Sequence, residues 1–124
     1  MKFSIDKHEK YVLLKLEEEK LNSIIAPMLK SELILINTEG LRNIILDLSS
    51  VKYCDSSGLS SLLVGNRLCK GSEGSFILTG LQPAVEKLIT ISQLQDVLIL
   101  IPTVEECIDL VFMEEIEKEL KATK

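Results

Sequence analysis

The sequence contains no tryptophan, one histidine and three cysteines, and these shortages exclude several kinds of chemistry. Cys54, Cys69 and Cys107 form no C-x-x-C pair, and an odd number cannot be fully paired into disulfides, so we expect a reduced, cytoplasmic protein. A single histidine and scattered cysteines, without clustered acidic residues, provide no zinc or calcium ligand set. We therefore expect neither a metal nor a cofactor.

Basic residues and long apolar runs are also scarce. The chain has 19 acidic against 14 basic side chains and a net charge of −5, which removes the long-range attraction to nucleic acid, so we expect no nucleic-acid partner. The longest apolar runs, 33–36 and 97–101, are far shorter than the ~20 residues that span a bilayer. Residues 1–6 also lack the basic and apolar segments of a secretory signal, so we expect no direct membrane insertion.

What the chain does contain is aliphatic residues, with 46% apolar side chains in 124 residues. This length and composition predict one domain with a core of leucine, isoleucine and valine. We expect that single domain to occupy 1–124, with its core at about 3–118 and a frayed tail at 119–124.

The periodicity of the apolar residues predicts an α/β fold. Alternation at 3–5 and 12–16 around a polar turn predicts a β-hairpin. A first helix should begin near Ile25 or Ala26, because Pro27 is tolerated in a first turn, and should end at Gly40. Strands are predicted at 43–48, 75–79 and 97–101, with helices at 57–70, from Pro83 and from Thr103. The expected architecture is a mostly parallel sheet of four to five strands, packed with about four helices.

The last helix has the clearest start signal. The Thr103 hydroxyl can cap it, and Glu106, three residues later, completes a capping box. The predicted inward stripe comprises Cys107, Ile108, Val111, Phe112 and Ile116, and the predicted outward residues are Glu114, Glu115, Glu117 and Lys118.

The candidate functional site is the tetrapeptide Asp55-Ser56-Ser57-Gly58. It follows a strand that is predicted to be buried on both faces, and helical spacing resumes at Leu59, so Ser56 should lie where a helix begins. Free amide groups and the positive end of the helix dipole would there partly compensate a phosphate on the serine. Serine and aspartate are also ordinary capping residues, which leaves a purely structural alternative. The position after a central parallel strand favours the functional interpretation.

An enzymatic serine is the other alternative, and the motif argues against it. The G-x-S-x-G elbow requires glycine two residues before the nucleophile, where Cys54 precedes Ser56 and Asp55 precedes Ser57. The lone histidine, His8, is predicted in the hairpin turn and not beside the motif. Cys54 itself is either perturbed by the helix start or simply a small buried residue. We expect no catalytic residues.

The sequence resembles the STAS domain family, and in particular its free-standing anti-sigma factor antagonists. The residues that carry the resemblance are D-L-S at 47–49, Val51 and Y-C-D-S-S-G-L at 53–59, which match the family's phosphorylation segment in type and spacing. G-L-Q-P at 80–83, and Thr103 with Glu105 and Glu106, resemble its later turn and final helix. The sequence departs from the family at 17–20 and 92–94.

The resemblance implies a regulatory binding module. Ser56 would be phosphorylated by the anti-sigma factor, itself a serine kinase, and dephosphorylated by a metal-dependent serine/threonine phosphatase. The unmodified protein would bind the anti-sigma factor and the modified protein would not. Asp55 would orient the phosphoryl group or help recruit the metal–nucleotide centre of the kinase, Ser57 would cap the helix, and Gly58 would permit close approach of the partner backbone.

The docking surface implied by the resemblance is Leu59 together with the exposed parts of the helix through Arg67. The alternative within the same family is a constitutive accessory or scaffold subunit of a transporter or a stress-sensing complex, in which the serine is never modified.

Overall fold

Strands and helices alternate after an N-terminal hairpin in the computed structural model, which describes residues 1–122. The hairpin is formed by β1 (Phe3–Lys7) and β2 (Val12–Leu16). The later elements, in chain order, are β3 (Lys20–Leu21), α1 (Ala26–Thr38), β4 (Ile44–Asp47), β5 (Tyr53–Cys54), α2 (Ser56–Gly71), β6 (Phe76–Thr79), α3 (Pro83–Ile91), β7 (Ile99–Ile101) and α4 (Val104–Ala122). The predicted α/β class and hairpin are confirmed.

Five strands form the main sheet in the order β1-β2-β4-β6-β7. Only β1 is antiparallel to its neighbour, and the parallel register places Leu14 opposite Leu46 and Leu46 opposite Leu78. The two remaining strands, β3 and β5, form a separate parallel ribbon in which Lys20 faces Tyr53. The sequence did not predict this ribbon, because strands of two residues are too short to show a period.

The two faces of the main sheet are covered unequally. Helices α1, α2 and α3 cover one face and close over an aliphatic core that includes Leu14, Leu46, Leu62 and Phe76, all at most 1% exposed. Among the helices of residues 1–122, α4 is the one that packs on the other face, against β4, β6 and β7. The carboxyl ends of the parallel strands therefore meet at one edge, where the connections to α2, α3 and α4 begin.

The ends of helix α1 follow the sequence signals. Pro27 lies in its first turn, and the side-chain oxygen of Asn22 accepts hydrogen bonds from the amides of Ile24 and Ile25. Gly40 follows the last turn with φ +88°, a conformation that a residue without Cβ adopts at no steric cost. The predicted start and stop of this helix are confirmed.

Helix α4 confirms its predicted start and the first part of its predicted inward stripe, since Cys107 and Val111 are buried and Ile108 packs beside them. The Thr103 hydroxyl accepts a hydrogen bond from the Glu106 amide at 3.2 Å. Phe112 and Ile116, however, are 44% and 56% exposed, whereas Glu115 is buried. Glu115 is turned inward because its carboxylate accepts hydrogen bonds from Arg42, Asn43 and Lys118 at 2.8, 3.2 and 3.2 Å.

The C-terminal tail is the other departure. Helix α4 includes residues 119–122, so this part of the predicted frayed tail is helical. Thr123 and Lys124 lie outside the described residues.

Candidate functional site

The tetrapeptide 55–58 lies at the start of α2, and Asp55 is the capping residue. Its backbone is extended (φ −106°, ψ −173°), and its carboxylate oxygen Oδ1 accepts a hydrogen bond from the Gly58 amide at 3.0 Å. This satisfies one of the amide groups that a helix start leaves unpaired. The prediction that Ser57 caps the helix is therefore wrong, since the carboxylate two residues earlier has that role.

Ser56 is the first residue of α2, and its side chain is exposed. Its hydroxyl makes no hydrogen bond to any of residues 1–122. Ser57, beside it, is half-buried. The amides of the first helical turn have no partner within a helix, and the positive end of the dipole is located there. The helix start would consequently compensate part of the charge of an anion attached to Ser56, whereas the Asp55 carboxylate beside it would oppose that charge.

Gly58 is required by the packing of α2 itself. A Cβ at this position would lie 2.3 Å from the Leu21 carbonyl oxygen and 2.7 Å from the Cys54 sulfur. The helix start can pack against β3 and β5 only because no side chain intervenes. Gly58 is buried against its own chain, so its predicted role in admitting a partner backbone is wrong.

The predicted docking residues divide into one that is buried and one that is exposed. Leu59 is only 8% exposed and packs in the main core, which corrects its assignment to the docking surface. Arg67 is exposed. It follows Ser56 by eleven residues, so it lies about 20° round the helix from Ser56 and about 16 Å further along the axis. Ser60 and Leu63, both half-exposed, lie between them on this outward face of α2.

The ribbon of β3 and β5 adds surface next to the tetrapeptide that the sequence reasoning missed. The amides of Lys52 and Tyr53 donate hydrogen bonds to the Glu19 carbonyl oxygen, and the Asp55 amide donates to that of Leu21. Tyr53, three residues before Ser56, is 51% exposed. In the sequence, the feature that could have indicated this surface is the aromatic residue Tyr53 close to the tetrapeptide.

A second loop lies at the same edge of the sheet. Gly80 follows β6 with φ +70°, and the Gln82 side-chain amide donates a hydrogen bond to the Ser49 carbonyl oxygen at 2.7 Å. This contact ties the turn at 80–83 to the loop that leads from β4 towards Ser56.

The Cys54 thiol lies beside the site and is not activated as a nucleophile. Its burial and the negative charge of Asp55 raise its pKa to about 11, so it is a protonated thiol at neutral pH. Of the two alternatives for this cysteine, the small buried residue is confirmed.

His8 lies in the turn between β1 and β2, where it was predicted. Its ring stacks on Tyr11 at 4.4 Å, and its Nε2 atom lies 2.9 Å from an Asp6 carboxylate oxygen. This turn adjoins the starting ends of the parallel strands, whereas Ser56 follows their carboxyl ends. The ring is therefore not placed to act as a base for Ser56.

Two further observations concern the described part of the chain. Residues 1–122 contain no group of three or more His, Cys, Asp or Glu side chains that could hold a metal ion. In the same range, no helix combines the length and the apolar character that crossing a bilayer requires.

Comparison with known proteins places this chain in a family. The family model of the STAS domain matches residues 2–107, and the chain belongs to the STAS domain family. Its fold is shared by solved structures, including an anti-sigma factor antagonist from Mycobacterium paratuberculosis (20% identity, TM-score 0.79, 89% of this chain and 92% of that one).

Two further structures widen the comparison. One is the phosphorylated form of the Bacillus cell fate determinant SpoIIAA (23% identity, TM-score 0.69, 89% of this chain and 99% of that one). The other is a sulfate transporter family protein from Wolinella succinogenes (14% identity, TM-score 0.75, 86% and 88%). These likenesses show that the chain has the STAS fold.

Proposed function

We propose that this protein is a cytoplasmic, phosphorylation-controlled binding module of the anti-sigma factor antagonist type. The observation that carries the proposal is the Ser56 hydroxyl, which is exposed and without a hydrogen-bond partner within residues 1–122, although the helix start around it is fully organised by Asp55. The kinase would be a serine kinase that is itself the anti-sigma factor. A metal-dependent serine/threonine phosphatase would restore the hydroxyl.

The electrostatics of the site support such a switch. Phosphorylation adds about −1.5 to −2 charges at neutral pH. The amide groups at the start of α2 compensate part of this charge, so the fold tolerates the modification. A partner surface that fits a neutral hydroxyl beside the Asp55 carboxylate would instead meet repulsion and a desolvation cost. Phosphate would thus weaken binding without unfolding the domain.

The relatives give independent support. One structure of the same fold is an anti-sigma factor antagonist, and another is a phosphorylated form. In the present chain the serine directly after the capping aspartate is exposed, so a kinase could reach its hydroxyl.

Two of the sequence-predicted residues have defined places in this proposal. Arg67 would extend the docking surface along the outward face of α2, because it shares that face with Ser56. Asp55 would position the acceptor by fixing the helix start, and its free carboxylate oxygen would face the metal–nucleotide centre of the kinase.

We propose no catalytic role for the site. A hydrolase would need a base next to Ser56, and neither the protonated Cys54 thiol nor His8 in the hairpin turn provides one. An ester-hydrolysis assay with Ser56→Ala as the control tests this: equal background rates are expected, and a rate that depends on Ser56 would contradict the assignment.

The second candidate function is a constitutive STAS subunit of a transporter or a stress-sensing complex. It is favoured by the shared fold of the sulfate transporter family protein. In that case the serine surface would be bound permanently, and a charge at position 56 would have no regulatory effect.

Capture of partners from the native cytosol separates the two candidates. The bait is the wild-type protein, Ser56→Asp, Ser56→Ala or Ser31→Asp, the last being a matched control that adds the same charge at an exposed serine of α1. We expect a kinase partner on wild type, Ser56→Ala and Ser31→Asp, and its loss on Ser56→Asp. Equal capture by all four baits would favour the constitutive subunit.

A further inference from the structure

Helix α4 presents apolar side chains to solvent on the face of the molecule opposite to α2. We call Phe112, Met113 and Ile116 the α4 stripe; they are 44%, 63% and 56% exposed. The three positions lie within about 100° of one another round the helix, so they form one continuous surface. The family match ends at residue 107, so the STAS family model does not account for the stripe.

The outward orientation of the stripe is built into the fold. Glu115 is held against the start of β4 by Arg42 and Asn43, and Lys118 closes the same cluster. The Ser75 hydroxyl donates a hydrogen bond to the neighbouring Glu114 carboxylate at 2.9 Å. These contacts fix the rotation of α4 about its axis. Because two carboxylates occupy the inner side of this part of the helix, Phe112, Met113 and Ile116 face outward.

The charged residues around the stripe are mainly acidic. Glu105, Asp109 and Glu117 are exposed, and none has an ion-pair partner within residues 1–122. Glu119 is the exception, because its carboxylate lies 3.8 Å from the Lys10 ammonium.

The basic residues of α4 do not balance this charge. The Lys118 ammonium bonds to Glu115 and to the Glu73 carbonyl oxygen. Lys121 lies about 140° round the helix from Ile116. The stripe is therefore an apolar surface next to three unpaired carboxylates.

We infer that the α4 stripe is a docking surface for an amphipathic helix with a basic polar face, carried by another protein. The apolar side chains of that helix would cover Phe112, Met113 and Ile116, and its lysines or arginines would pair with Glu105, Asp109 and Glu117. A second copy of this chain fits poorly, because a two-fold axis would bring the same carboxylates together. An anionic lipid surface is repelled for the same reason.

This surface is separate from the one that contains Ser56. Helices α2 and α4 lie on opposite faces of the sheet, so both surfaces can be occupied at once. The inference does not rest on the proposed phosphorylation, and the charge at position 56 should leave binding at the stripe unchanged.

The test is a titration of the isotope-labelled protein followed by amide chemical shifts. The probe is a synthetic leucine/lysine peptide of about 18 residues, or about five helical turns, that forms an amphipathic helix. A leucine/glutamate peptide of the same pattern and a shuffled leucine/lysine peptide are the matched probes. We expect shifts in residues 105–119 with the first probe alone, weakening as salt is added.

Variants assign the binding to the stripe. The double variant Met113→Gln/Ile116→Gln should lower the affinity about tenfold or more, as should Asp109→Lys/Glu117→Lys. Ile24→Gln/Met28→Gln, which alters an exposed apolar residue just before α1 and another in its first turn, should bind like wild type, as should Ser56→Asp. All these side chains are exposed, and unchanged thermal melts would confirm that each variant is folded.

The inference is overturned by any of four results: no shifts with the leucine/lysine peptide, equal binding of the leucine/glutamate peptide, shifts that map away from α4, or full binding by the stripe variants. It is also overturned if light scattering shows a dimer that Met113→Gln/Ile116→Gln dissociates, or if the stripe binds vesicles of phosphatidylserine in preference to the peptide.

Discussion

The Gly58 amide lies 3.0 Å from the Asp55 carboxylate oxygen, and this single hydrogen bond organises the start of helix α2. Because the aspartate supplies the cap, neither of the two serines between these residues is needed for it. Ser56 therefore keeps an exposed hydroxyl without a hydrogen-bond partner within residues 1–122, as the proposed phosphoryl acceptor needs.

The first prediction concerns this cap. Asp55→Ala should lower the free energy of unfolding by about 1 kcal/mol, because it leaves the Gly58 amide without its partner. Asp55→Asn should cost clearly less, since the amide oxygen can accept the same bond. Urea unfolding of the two variants measures the difference. Equal losses would show that the carboxylate charge, and not the hydrogen bond, stabilises the helix start.

The second prediction compares two glycines of the same helix. Gly58→Ala should destabilise the fold by about 1–3 kcal/mol or more, because the new methyl group would meet the Leu21 carbonyl oxygen. Gly71→Ala, at the other end of α2, should change stability by no more than about 0.5 kcal/mol, since nothing lies within 4 Å of its Cβ position. A Gly58→Ala variant as stable as Gly71→Ala would contradict the close approach of α2 to β3.

The third prediction separates the core from the site. Leu62 is completely buried, so Leu62→Ala should lower the free energy of unfolding by about 2–5 kcal/mol. Ser56→Ala should cost much less, because the hydroxyl has no partner within residues 1–122. Thermal melts that ranked the two variants the other way would make Ser56 a structural residue.

The fourth prediction is a pH dependence that arises from Glu115. Burial favours its protonated form, but the hydrogen bonds from Arg42, Asn43 and Lys118 outweigh this and lower its pKa to about 2. A lowered pKa in the folded state stabilises the fold above the unfolded value of about 4.5, and this contribution is lost as the pH falls towards about 2. Wild type should therefore lose more stability than Glu115→Gln between pH 5 and pH 2. The difference should equal most of the stabilisation that the ionised Glu115 carboxylate provides at neutral pH. Urea titrations measure the free energy of unfolding of both proteins at each pH. An equal loss in the two proteins between pH 5 and pH 2 would contradict the lowered pKa of Glu115.

The fold could be predicted from the sequence where an element is long enough for its apolar residues to show a regular repeat. The alternation at 12–16 and the apolar strand at 44–48 define the sheet, and Pro27 and Gly40 mark the ends of α1. The position of Ser56 at the start of a helix followed from the same periodicity, because Leu59 and Leu62 both face the core.

The parts that were missed depend on contacts between distant residues. The inward side of α4 is set by Arg42 and Asn43, which lie 73 and 72 residues away from Glu115 in the sequence. Periodicity alone predicted that Phe112 faces inward and that Glu115 faces outward. Likewise, the requirement for glycine at position 58 comes from Leu21, on a strand of two residues that shows no pattern.

Phosphopeptide mapping of the protein purified from its native cells tests the central claim most directly. The fraction bound to its partner is compared with the free fraction. We predict phosphate on Ser56 in the free fraction and an unmodified Ser56 in the bound one. Phosphate on Ser56 at equal levels in both fractions, or on other hydroxyls alone, would contradict the proposed switch.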